Sequence, residues 1–284
     1  VDTGELLRLN PPDAPTAGSV AVSCKGDRLF VSKGQAVYKW QLDIATKPQT
    51  AVRIAETKLM EIPSEMQDRS FLLENCDGSL LAFRYRLGEA YFIEFCDTAT
   101  GLLLPPAKLD FKPDHLQFHW SRPDLLAFCC VYDSDVAPLD PNVPRHARIW
   151  FMNVRTRVPV PAFYQVPGEI VTHECWWVND QITFVGGHHH EGDREEGNVK
   201  VLDLKTGAVQ DLVPHMASGV FGRFDLSFDA SRIVFDWKSG AQEGYRIFEV
   251  RTDGTGLRQL TFPQEDERDL SATYRKRPSY HHGS

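Results

Sequence analysis

The chain reads as short apolar runs that alternate with polar residues at a period of two, broken by turn residues every 8–12 positions. One phrase recurs: a turn aspartate followed by an apolar run. It appears as Gly26-Asp27-Arg28-Leu29-Phe30-Val31, Asp77-Gly78-Ser79-Leu80-Leu81-Ala82-Phe83 and Pro123-Asp124-Leu125-Leu126-Ala127-Phe128. It returns as Asn179-Asp180-Gln181-Ile182-Thr183-Phe184 and Asp229-Ala230-Ser231-Arg232-Ile233-Val234-Phe235. The aspartates fall at 27, 77, 124, 180 and 229, at intervals of 50, 47, 56 and 49. An alternating strand that ends in a turn follows each copy, as in Val199-Lys200-Val201-Leu202-Asp203-Leu204-Lys205-Thr206-Gly207. A short fourth strand closes the unit, as in Leu257-Arg258-Gln259-Leu260-Thr261.

A repeat of this length with four strands per unit is the signature of propeller blades. The pattern predicts an all-β fold, a β-propeller of six to seven four-stranded blades in one domain over residues 1–284. Full repeats are expected at about 19–56, 70–110, 114–165, 170–214 and 222–262. Residues 1–9 match the tail of a blade and predict an outer strand that completes the last one. Residues 272–284 begin a sixth repeat, so either the ring closes with six blades or the C-terminus is missing. No stretch holds a 3.6-residue pattern. The longest helix candidate, Thr57 to Gln67, is interrupted by Pro63 and reads as a connection.

Charge and composition then narrow the function classes. The 284 residues carry a net charge of −8, which argues against nucleic acid, since that partner requires a basic stripe. No run approaches the ~18 apolar residues of a membrane span. The opening Val1-Asp2-Thr3-Gly4-Glu5 has neither the basic nor the apolar segment of a signal peptide. The six cysteines form no Cys-x-x-Cys pair and sit mostly in apolar runs, which predicts reduced core thiols and a cytoplasmic location. A periplasmic one is the alternative if a signal segment has been removed.

Propeller sites lie where the inner strands begin, near a central channel. Two segments put ionisable residues there in consecutive repeats: Asp114-His115-Leu116-Gln117-Phe118-His119-Trp120 and Thr172-His173-Glu174-Cys175-Trp176-Trp177. His188-His189-His190-Glu191 is predicted to lie in a loop between the second and third strands of its repeat. Adjacent histidines in such a loop converge poorly on one ion. Asp133-Ser134-Asp135 and Asp140-Pro141-Asn142 lack the spacing of a calcium loop and read as solvated.

From His115 to about Leu212 the chain resembles the oligogalacturonate lyases, seven-bladed propellers of the TolB/WD40-like kind that split short pectin fragments by β-elimination. The resemblance rests on His115-Leu116-Gln117-Phe118, on Arg122-Pro123-Asp124-Leu125-Leu126-Ala127-Phe128-Cys129, on Arg148-Ile149-Trp150 and on His173-Glu174-Cys175-Trp176. It implies a carbon–oxygen lyase that acts on an acidic oligosaccharide bound in the channel. It implies His115 as a catalytic histidine, Arg148 as the neutraliser of substrate charge and His173 as a ligand of a divalent, Mn-like metal. Gln117, His119 and Glu174 would contact substrate. β-Elimination needs a base for the proton alpha to a carboxylate, and positive charge on that carboxylate. The family's Gln-x-x-His-x-His metal motif has no counterpart at Gly219 to Ser227, and its paired early histidines have none around Pro15 to Val20. The second reading is a non-catalytic TolB-like propeller that binds a glycan or a protein.

Overall fold

The computed structural model describes residues 20–43, 52–130, 146–177, 180–190, 193–212, 219–227, 229, 231–239 and 245–261. Among them are no helices and twenty strands in five four-stranded antiparallel sheets. The first sheet holds β1 (Val20–Val22), β2 (Arg28–Lys33), β3 (Ala36–Asp43) and β4 (Val52–Glu61). The second holds β5 (Gln67–Glu74), β6 (Leu80–Leu87), β7 (Ala90–Asp97) and β8 (Ala107–Leu109). The third holds β9 (Pro113–Phe118), β10 (Leu125–Cys130), β11 (Ile149–Asn153) and β12 (Pro159–Pro161). The fourth holds β13 (Glu169–Trp176), β14 (Gln181–His190), β15 (Asp193–Asp203) and β16 (Val209–Asp211). The fifth holds β17 (Gly219–Leu226), β18 (Arg232–Ser239), β19 (Arg246–Arg251) and β20 (Arg258–Gln259). Each sheet is a meander in chain order, so every connection inside it is local.

The recurring aspartates lie in the turns between first and second strands. Asp229 Oδ1 accepts the Ser231 N–H and hydroxyl and the Ser227 hydroxyl, and these bonds hold its carboxyl down at about 2. Asp77 accepts the Ser79 N–H in the same way. The turns between third and fourth strands repeat as well: Asp97 accepts from the backbone of Ala99 and Thr100, and Asp203 from that of Lys205 and Thr206. These bonds satisfy the turn amides, and Gly101 and Gly207 follow in the left-handed conformation that ends each turn. In the third sheet Arg157 takes that place at φ +57.

The chain divides into two compact units, Val1–Val131 with Ile149–Ala162, and Tyr132–Arg148 with Phe163–Ser284. In the first unit Phe30, Val37 and Met60 of sheet one bury against Leu81, Phe83 and Tyr85 of sheet two. The opposite face of sheet two sends Ala82, Ile93 and Phe95 against Leu126, Phe128 and Met152 of sheet three. In the second unit Val185, Val199 and Val201 of sheet four meet Ile233, Phe235, Trp237 and Val250 of sheet five. Alternation along β6 thus serves two cores, with odd positions facing one neighbour and even positions the other.

Two segments differ from the sequence expectation. Val52–Glu61 is a full strand, so the first sheet's outer strand takes in residues read as part of a connection, and only the stretch around Pro63 links the sheets. Its polar, irregular pattern hides it, because pairing with β3 carries two register shifts. His188, His189 and His190 lie on β14, paired in register with Glu195, Arg194 and Asp193, so the expected loop is an extended hairpin. The outer strand expected at residues 1–9, the acidic insertion at 133–142 and the sixth repeat at 272–284 fall outside the described residues. None of the six cysteines forms a disulfide, and Cys96, Cys129 and Cys130 are buried.

One buried acid gives the first unit a pH signature. Glu94 on β7 is 2% exposed. Burial pushes its carboxyl up from 4.5 to about 7, against the opposing pull of the Phe95 N–H, the Tyr85 hydroxyl and the charge of Arg157. The fold therefore binds this proton more tightly than the unfolded chain does. That stabilising contribution is complete below about 4.5 and is lost as pH rises through about 7. Glu94→Gln should flatten this part of the stability curve. Urea unfolding at about pH 5 and about pH 8 measures it, and the wild-type drop between the two should exceed that of the variant.

Candidate functional site

The inner strands of sheets three and four share one irregularity. On β9, Gln117 pairs with Ala127 and Asp114 with Cys129, so His115 and Leu116 together oppose Phe128. On β13, Cys175 pairs with Thr183 and Thr172 with Val185, so His173 and Glu174 together oppose Phe184. These are β-bulges on equivalent rungs. The first residue of each is a histidine in the left-handed region, at φ +45 for His115 and +52 for His173. A non-glycine residue there costs on the order of 1–2 kcal/mol, although histidine tolerates it better than most. Bulges re-aim side chains, and strained backbone of this kind concentrates at functional positions.

Each bulge presents one half-buried histidine and one buried neighbour. In sheet three the buried residue is Leu116 and in sheet four it is Glu174, each 5% exposed. A carboxylate in a leucine position needs a cation. Arg148, itself buried, supplies it, with Nε 3.2 Å from Glu174 Oε2. The Arg148 backbone N–H donates to Gln165 Oε1, and Gln165 in turn donates through Nε2 to the Glu169 carbonyl and through its backbone N–H to the His146 carbonyl. Arg148 and Glu174 are thus brought together, and the guanidinium is directed at a carboxylate of the fold. Cys175 beside them is no nucleophile: burial, then the charges of Asp225 and Glu174, push its thiol up to about 12.

In the first unit His115 and Gln117 are half-buried on β9. A ring nitrogen of His115 and the Cys129 thiol lie within 4.8 Å of each other. His119 is buried, and its Nδ1 accepts the backbone N–H groups of Ser121 and Arg122, which caps the turn into β10. Sequence reasoning missed Arg84. It is buried on β6, one residue beyond Phe83, where β10 has Cys129 after Phe128 and β14 has Val185 after Phe184. Its Nη1 donates to the Pro113 carbonyl at 3.1 Å and to Asp114 Oδ2 at 3.4 Å, and its Nη2 to Asp68 Oδ1 at 3.1 Å. A charge in the middle of an apolar run was the available signal.

The donors on these strands are a histidine beside a thiol in the first unit, and a histidine beside an arginine-paired carboxylate in the second. An Mn-like ion favours oxygen donors with imidazole, whereas thiolate suits softer metals. The imidazole of His115 and the carboxylate of Glu174 are donor types that such an ion favours, and the Cys129 thiol is the one that it does not.

No family model matches the chain, and no curated protein sequence matches it either. Solved structures do. An oligogalacturonate lyase in complex with manganese superposes with a TM-score of 0.66 at 17% identity, over 88% of this chain and 67% of that one. The β-propeller domain of Cps50 (Swd1) from Myceliophteria thermophila gives 0.55 at 13%, over 91% and 74%. The chain has a β-propeller fold. TolB from Acinetobacter baumannii gives 0.52 at 14%, over 88% and 55%. The propeller chain thus spans about two thirds of the lyase's length, and at these identities the likeness is one of fold.

The buried ion pair generates a test. Arg148→Ala removes the guanidinium that faces the buried Glu174 carboxylate and should destabilise the protein by about 3–5 kcal/mol. Arg148→Met combined with Glu174→Leu restores the residue type of sheet three and should recover most of that loss. Urea denaturation of the single and double variants measures both.

Proposed function

We propose that the protein acts on short uronate oligosaccharides by β-elimination, as an oligogalacturonate lyase-like propeller. The reading rests on one observation above all: His115 and His173 are held in left-handed backbone at equivalent bulges of the third and fourth inner strands. Strain kept twice at the same place, on the residue type a base requires, is what a catalytic role would explain. The sequence likeness around these strands and the fold shared with a lyase support the same substrate class.

In this reading His115 takes the proton alpha to the uronate carboxylate. The electron pair left behind forms the double bond to the neighbouring carbon, the glycosidic carbon–oxygen bond there breaks, and the departing oxygen takes a proton from water while His115 returns its own to solvent. Gln117, on the same strand, is a candidate for orienting substrate hydroxyls. His119, whose Nδ1 caps the turn into β10, is a further candidate for substrate contact.

The second reading is a non-catalytic propeller that binds a glycan or a protein. The pairing of Arg148 with Glu174 favours it, because that guanidinium already has a carboxylate. So does the absence of histidine and glutamine from Gly219 to Ser227.

Digalacturonate incubated with the protein, with and without divalent metals, should develop the ultraviolet absorbance of an unsaturated uronate. His115→Gly should abolish it, while glycine accepts the left-handed backbone that costs histidine about 1–2 kcal/mol. Folded wild-type protein that yields no absorbance with any metal overturns the lyase reading. Calorimetric binding without turnover would then establish the second.

A further inference from the structure

We propose that Arg84 is a positioning residue for His115, clamping the bulge of β9 to the bulge of β5 through one guanidinium. Asp68 is the first residue of a bulge on β5, where Asp68 and Arg69 together oppose Tyr85, and its φ is +47. His115 is the first residue of the bulge on β9, at φ +45. Arg84 stands between them on the face of β6 that meets sheet three. Nη2 holds Asp68 at 3.1 Å, while Nη1 holds the Pro113 carbonyl at 3.1 Å and Asp114 Oδ2 at 3.4 Å. The other carboxylate oxygen of Asp114 accepts the backbone N–H of His115 at 2.9 Å. A continuous path of charge-assisted bonds therefore runs from the buried guanidinium to the backbone of the strained histidine.

The geometry of the donor matters. Arginine offers a rigid planar fork that satisfies partners on two strands at once, whereas lysine is a point charge on a flexible stem. The Arg84 side chain is 5% exposed against 21% for Asp114 and 36% for Asp68, so the anchor is the buried member and the anchored groups face outward. Lys112 adds a looser contact, 3.6 Å from Asp68. The left-handed conformation of His115 costs energy, and bonds that reach it through Asp114 are a means of retaining it.

This inference deepens the lyase reading, since it concerns the histidine assigned there as base, but its first measurement does not depend on that activity. Backbone amide exchange followed by NMR reports on His115 directly. In Arg84→Ala the His115 amide should exchange at least about tenfold faster, the loss expected when a charge-assisted bond is removed. Amides of β14 and β15 should keep their wild-type rates. Low-millimolar guanidinium should return the His115 rate towards wild type, which general destabilisation would not allow. Arg84→Lys should recover less than the added guanidinium does. If Arg84→Ala does not fold, Asp114→Asn tests the same link with the guanidinium in place, and faster exchange at His115 is again expected. A folded variant of either kind with His115 exchanging at the wild-type rate overturns the proposal. Where the wild type shows lyase activity, kcat should fall at least tenfold in Arg84→Ala with KM held within about twofold. A wild type without that activity removes the assigned reaction and leaves the exchange result to decide the positioning role.

Discussion

A four-stranded antiparallel sheet with two apolar faces cannot be stable alone, and this requirement organises the molecule. Sheet two shows it most clearly. Leu81, Phe83 and Tyr85 leave one face of β6 for sheet one, and Ala82 leaves the other for sheet three. Each face demands a neighbour, and the neighbour has a second face of its own. Face-to-face burial, at roughly 25 cal/mol per Å² of apolar surface, drives the packing, while the meander connections keep each sheet local in sequence. The turn aspartates specify where each strand begins, but they contribute at the surface.

The same packing explains where polar groups are allowed inside. A charge on a strand that serves two cores must be answered within the fold. Arg84 is answered by Asp68, Asp114 and a carbonyl of the next sheet, and Glu174 by Arg148. Arg84 reaches the His115 bulge through Asp114, and Glu174 lies within the His173 bulge. Each histidine bulge thus has a guanidinium–carboxylate pair beside it, in its own unit. Substrate charge would have to compete with carboxylates already in place, which is the physical tension between the enzymatic and binding readings.

Much of this architecture is legible in the pattern of residues along the chain. The five aspartates fall in turns between first and second strands, and sheets two to five run over Gln67–Leu109, Pro113–Pro161, Glu169–Asp211 and Gly219–Gln259. The repeat at 19–56 stops short because β4 lacks an alternating pattern and owes its form to pairing with β3. Spacing alone assigns His115 and His173 to inner strands of consecutive repeats, but the structure puts His173 at the fifth residue of β13 rather than at its start. Their position in bulges is not visible in the spacing, because a bulge is a mismatch between two strands and neither strand's pattern records it.

The amino-acid sequence by itself determined the fold class, since period-two alternation and turn chemistry are local properties repeated often enough to be unambiguous. It also singled out the two histidines by residue type and recurrence. Only the tertiary structure decided what the neighbours of those histidines do. Glu174 became half of a buried ion pair, His119 a cap for its turn, and Arg84 an anchor reaching two strands at once. Each of these roles depends on a partner 2 to 30 residues away in sequence and about 3 Å away in space. Residue types along a chain limit such partners, but contact across strands selects them.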